Sequence, residues 1–160
     1  MLITAITFYD VVLTVHILAV VVAFGVTFTY PVLDAYVRRT NAGDLAALHR
    51  FQTVLTSRVI TPAMAVILVA GLYMATNRWS LSDPWIGATF AILIVLFGLV
   101  GAIFTPTEKR CAELAARDAA AGGGRSAEYE AQARKLMMFG GLAYLLIVAA
   151  VFLMTAKPGA

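Results

Sequence analysis

The chain has 160 residues, of which 61% are hydrophobic and 13% charged, and carries a net charge of +3. Its mean hydropathy of +0.87 is that of a membrane protein and excludes an ordinary water-soluble domain. The surplus Lys and Arg sit between apolar stretches, so the basic balance reports membrane topology and argues against nucleic-acid binding.

Four windows, residues 11–33, 59–77, 84–107 and 136–156, contain no Asp, Glu, Lys or Arg. Each supplies the roughly 20 residues that a helix needs to cross a hydrocarbon core about 30 Å thick. The expectation is an all-α protein, a four-helix transmembrane bundle forming one domain over 1–160, with spans at about 8–33, 58–77, 84–107 and 136–156. The first window reads as a span rather than a cleaved leader. No basic residue precedes it, and it exceeds the roughly 7 to 15 apolar residues of a leader core. Arg38, Arg39, Arg50 and Arg58 lie between spans one and two, and six more Lys and Arg between spans three and four. The positive-inside rule therefore puts these loops in the cytoplasm and both termini, with the 77–83 loop, outside. Trp79 and Trp85 flank that outer loop, where an aromatic belt is expected.

Span one carries a stripe. At about 100° per residue, Tyr9, His16, Ala23, Thr27, Tyr30 and Asp34 point within about 40° of one direction. Such a stripe belongs on the bundle interior, as helix-packing contact or as a functional surface. Pro31 stands near its inner end.

Asn41, Gly43 and Asp44 signal a turn, with Asp44 placed to cap an amphipathic helix that leads into span two. Leu45, Leu48, Phe51, Gln52, Leu55 and Val59 form its apolar face, with His49, Arg50, Thr53 and Arg58 elsewhere. The helix is expected along the cytoplasmic surface, with Arg50 and Arg58 toward anionic lipid headgroups and His49 solvated or interfacial. Pro62 predicts a kink. Asp83-Pro84 reads as the start of span three. Beyond Pro106 the helical signal runs on to three glycines at 122–124, and Ser126 caps a returning helix. A charged cytoplasmic helical extension results, a face for solvent or for a soluble partner. Cys111, the single cysteine, falls in it and reads as an inert thiol.

Residues cooperate only within one layer of the membrane. His16 is in the outer third, level with Tyr73, Met74, Thr89, Met154 and Thr155, while His49 is at the opposite side. The two histidines are therefore not paired ligands. A haem b on His16 would take a methionine, water, nothing or a second His16 from a homodimer as its other ligand, with Met154, Met74 and Tyr73 the nearby candidates. Without a ligand, His16 is expected to bond Tyr73 or Thr89. No serine, cysteine or carboxylate shares its layer, so no hydrolase triad is available and no metal cluster is expected. Asp34 and Arg58, at the inner edge, read as a structural ion pair.

The run from Val15-His16 to Ala23-Phe24-Gly25, then Leu48-His49-Arg50-Phe51 and Arg58-Val59-Ile60-Thr61-Pro62-Ala63, resembles an uncharacterised family of small bacterial integral membrane proteins. More remotely it is similar to copper-resistance-D-like proteins and the membrane protoporphyrinogen oxidase of haem synthesis. Those relatives imply a haem or metal link through His16. This chain has Ala23-Phe24-Gly25 where they carry Trp-x-Gly after the histidine, and no lysine within its spans. The resulting expectation is a non-catalytic, multi-pass protein of a bacterial cytoplasmic membrane, free-standing, dimeric or an accessory subunit of a larger complex. The alternative is a haem- or metal-binding redox protein using His16.

Overall fold

The computed structural model describes residues 6–122 and 124–158, among which there is no strand. Four helices, α1 (Phe8–Thr40), α2 (Ala42–Arg78), α3 (Pro84–Ala120) and α4 (Ala127–Ala156), are each long and apolar enough to cross a membrane. Their starts follow from local chemistry. Thr7 and Asp10 bond each other's backbone N–H groups in a capping box. Pro84 sits in the first turn of α3, and Ser126 Oγ accepts from Tyr129 N at 3.2 Å to begin α4. The α2 cap falls on Asn41 instead of Asp44: Asn41 Oδ1 accepts from Gly43 N at 3.1 Å, and Asp44 makes no side-chain capping bond.

The helices form an open-sided row. α1 packs on α2 in the half that carries the Trp79 and Trp85 turn, here the tryptophan end; α3 packs on α4; and α2 meets α3 chiefly at the opposite, basic end. There Leu45–Leu55 of α2 lies along Thr105–Ala120 of α3, burying Leu45, Leu48, Cys111, Leu114 and Tyr129. Two expectations are thereby corrected. The segment that leads into span two lies against α3 and not flat on a membrane surface, and the α3–α4 extension is part of a packed core. The helix face also turns. His49, Gln52 and Thr56 are buried, while Phe51 and Val54 are 54% and 56% exposed. The apolar periodicity misled because the interior at this level is polar.

Three helices change winding just before a proline. α1 tightens to a 3-10 turn at Val26–Thr29 before Pro31, while α2 and α3 widen to π turns at Thr56–Ile60 and Val100–Phe104 before Pro62 and Pro106. A proline ring collides with the carbonyl four residues back and offers it no N–H, so the local winding must adjust. In α2 the widened turn gives Thr56 O two partners: Thr61 N, and Thr61 Oγ1 at 2.7 Å. In α1 the 3-10 turn gives Thr27 O the Tyr30 N–H in place of the donor that Pro31 lacks, and the same carbonyl also accepts the Tyr144 hydroxyl of α4 at 2.9 Å. All three adjusted segments contribute to the wall of one cavity.

Candidate functional site

Between the four helices, in the basic half, lies a cavity of about 590 Å³. Phe24, Ile60, Met64, Leu96, Phe104 and Ile147 make much of it apolar. Its volume falls within the roughly 300 to 1,000 Å³ of small-molecule sites. Pro31 and Ala35 on α1 and Met137 and Gly141 on α4 both line the cavity and are exposed, so it opens sideways through the seam between α1 and α4. Two contacts frame the opening. On the side toward the tryptophan end, Tyr144 bonds Thr27 and stacks on Phe28, with ring centroids 4.9 Å apart. At the basic end, Arg38 reaches from α1 to both carboxylate oxygens of Glu130 on α4, each at 3.2 Å.

The floor is polar. Glu108 of α3 is 4% exposed, and its Oε1 accepts from Thr56 Oγ1 at 3.2 Å. Its Oε2 is buried with no hydrogen-bond partner, as is the Tyr30 hydroxyl, which stands beside Thr56 and Glu108. Next to them runs a satisfied chain. Arg38 Nη2 donates to Tyr129 Oη at 3.3 Å, Tyr129 Oη bonds His49 Nε2 at 2.9 Å, and His49 Nδ1 bonds Gln52 Oε1 at 2.8 Å. Because the Gln52 oxygen can only accept, the proton belongs on Nδ1 and Tyr129 donates to Nε2. Burial lowers the His49 pKa from its ordinary value, favouring this neutral imidazole. His49 is thus an interior residue, 2% exposed, and not a solvated one.

Asp34 pairs with Arg38 on its own helix, at 2.6 Å to Nε. The expected Asp34–Arg58 pair does not form, because Arg38, one turn away, already reaches the carboxylate. Arg58 and Arg50 are exposed and make no ion pair among the described residues. Beneath the surface, Cys111 is fully buried, and burial pushes its thiol up to about 12.

The stripe on α1 does face inward: His16 and Ala23 are buried, and Thr27, Tyr30 and Asp34 line the cavity. Toward the tryptophan end of the stripe, Tyr9 lies under the Arg78 guanidinium, 4.0 Å from the ring centroid. His16 itself is not at the cavity. Its imidazole is 4% exposed and closed against Gly71, where an added Cβ would stand 3.4 Å from Cε1. Neither ring nitrogen has a partner. Thr89 bonds Trp85 O at 2.7 Å, and Tyr73 packs edge-on against Phe8, so neither serves His16. Met74 is buried on the Gly71 face of α2, whereas Met154 is on α4, which packs along α3. With Gly71 closed against the ring and Phe90 Cζ 3.9 Å from where a Gly71 Cβ would stand, a macrocycle has no slot there. Among the described residues no three His, Cys, Asp or Glu side chains are grouped to hold a metal ion. The residues present do not fit the haem or metal that the remote resemblance implies.

Sequence reasoning passed over Glu108. The signal was present: Val100, Phe104 and Glu108 follow at four-residue steps, so the first carboxylate after the apolar window continues a face of the span.

Large apolar side chains on the outer faces, such as Val21 at 61% and Leu145 at 71% exposed, meet lipid. Four such helices define a multi-pass integral membrane protein in a lipid bilayer. Residues 10–158 match the DUF2269 family, described as predicted integral membrane proteins, and the chain belongs to it. No curated protein and no solved structure matches the chain.

Proposed function

We propose that this protein is a non-catalytic membrane protein that binds a lipophilic molecule in the cavity. The carrying observation is the cavity itself: about 590 Å³ of mainly apolar space, open sideways and ending on buried polar groups. A molecule dissolved in the membrane can reach it through the α1–α4 seam without crossing water. The groups around it bind and orient: the Thr56 and Tyr129 hydroxyls are held by Glu108 and His49, and the role we assign to them is recognition.

In this reading the protein sits in a bacterial cytoplasmic membrane with its basic end inside and its termini outside, and Arg50 and Arg58 meet anionic headgroups. A cysteine introduced at position 80 is expected to label from outside; labelling from the cytoplasm would overturn that orientation. The same binding role suits an accessory subunit of a larger complex, for which stoichiometric partners are expected on purification in mild detergent; a lone monomer or homodimer would count against it.

Gly140 lines the cavity and has no atom within 4 Å of an added Cβ. Gly140→Phe should therefore fill the space while leaving the fold intact. In native mass spectrometry from detergent, the wild-type protein is expected to retain one dodecanol and the variant none. Equal retention by both would refute the cavity as the binding site.

A further inference from the structure

The ligand's chemical class is written in the one carboxylate that the cavity leaves without a counter-charge. Glu108 is 96% buried on the complement of its 4% exposure, and only one of its two oxygens is hydrogen-bonded. The cation that shares the cavity wall, Arg38, is already taken: Asp34 holds Nε, Glu130 holds Nη1 and Tyr129 holds Nη2. Arg58, on the neighbouring helix, is exposed. Burial without a paired cation pushes the Glu108 carboxyl up to about 7, and a cation bound beside it restores the carboxylate in exchange for the cation's own desolvation. A neutral alcohol can donate to Oε2 but brings no counter-charge, and an anionic occupant meets the fields of Glu108 and Asp34 together.

We propose, building on the cavity-binding reading above, that the site takes an amphiphilic cation: an apolar body within the cavity and an ammonium head donating to Glu108 Oε2, with the Tyr30 hydroxyl alongside. Thr56 holds the carboxylate through Oε1 and so aims the second oxygen. The seam suits this shape, because a longer tail can leave between Pro31 and Met137 into the bilayer. The same ammonium chemistry is offered by a free lipophilic amine and by an ethanolamine lipid headgroup.

The test uses the full-length protein in dodecyl maltoside, read by native mass spectrometry with dodecylamine, dodecanol, dodecanoate and phosphatidylethanolamine as probes. One dodecylamine is expected per chain, half-saturating at about tenfold lower concentration than dodecanol, a factor worth about 1.4 kcal/mol. Dodecanoate is expected to bind worst. Glu108→Gln should erase the preference for amine over alcohol while retaining the alcohol, and Glu113→Gln, on an exposed side chain, should leave the preference unchanged. If Glu108→Gln does not fold, Tyr30→Phe and Thr56→Ala provide the second measurement, each expected to reduce the preference. Retained phosphatidylethanolamine that dodecylamine displaces assigns the head to a lipid; amine binding without lipid retention assigns it to a free amine. Dodecanol binding with no amine advantage, or an advantage that survives Glu108→Gln, overturns the cation while the cavity reading stands. If no probe binds and Gly140→Phe changes nothing, the cavity reading falls as well.

Discussion

Among the described residues, buried side-chain polar atoms without partners lie on His16, Tyr30, Trp85 and Glu108, and the surroundings of the histidine and the glutamate differ. At the tryptophan end, the His16 imidazole is sealed into the α1–α2 contact by Gly71. At the basic end, Glu108 and Tyr30 stand on a cavity that three altered helical turns and a splayed α1–α4 seam keep open. An unpartnered polar atom points to a ligand only where there is room for one. By that test the histidine, the most conspicuous residue in the sequence, reads as a packing element, and the glutamate marks the site we propose.

The contrast can be broken most severely at the wall that both the cavity and the basic-end core depend on. Tyr129 is fully buried and joins Arg38 to His49. Tyr129→Ala is expected to cost about 3–5 kcal/mol, the range for deleting a buried aromatic ring. Tyr129→Phe keeps the ring but strands His49 Nε2, for about 1–3 kcal/mol. Reversible unfolding in mixed micelles measures both; a Phe variant as unstable as the Ala variant would show that the ring, not the bond chain, was misjudged.

A sharper comparison uses two glycines. Gly71→Leu forces a side chain into the His16 contact and is expected to cost about 1–3 kcal/mol as overpacking. Gly140→Leu enters open space and should change stability by no more than about 0.5 kcal/mol. Equal losses at the two positions would mean that the cavity is not free space at all.

The smallest effect is expected at the histidine. His16→Leu removes two unsatisfied nitrogens and keeps an apolar side chain, so stability should hold or rise by up to about 1 kcal/mol. Binding at the cavity should be untouched, and the purified wild-type protein should show no Soret band. A Soret band lost in His16→Leu would restore the haem reading.

Much of the architecture was legible because it follows from runs of composition. Charge-free windows of sufficient length announce helices that cross a membrane, and Asp83-Pro84 and Ser126 announce their starts. The inward face of α1 was legible from angular spacing, since His16, Ala23, Thr27 and Tyr30 share one direction on any α-helix. The site was not, for two reasons. Apolar periodicity puts Leu45, Leu48 and Gln52 on the buried face of α2, where they are, but it adds Phe51 and leaves out His49 and Thr56, which bond across helices to Tyr129 and Glu108, and a bonded polar core has no hydropathy signature. The second reason is that Asp34 had several arginines within reach in sequence, and only the course of the backbone chooses Arg38 over Arg58.

The bond from Tyr144 to Thr27 reaches further than its 2.9 Å length suggests. Pro31 has deprived the Thr27 carbonyl of its α-helical donor, Tyr30 N–H takes that place in the 3-10 turn, and the Tyr144 hydroxyl adds a bond for which hydrocarbon offers no substitute. Each parting of α4 from α1 therefore leaves the Tyr144 hydroxyl without its partner in an apolar medium, at a cost of about 1–3 kcal/mol. In the binding role we propose, that penalty acts as a spring across the seam: it slows exchange between cavity and bilayer without blocking it, and it draws the two helices together again once a guest has passed.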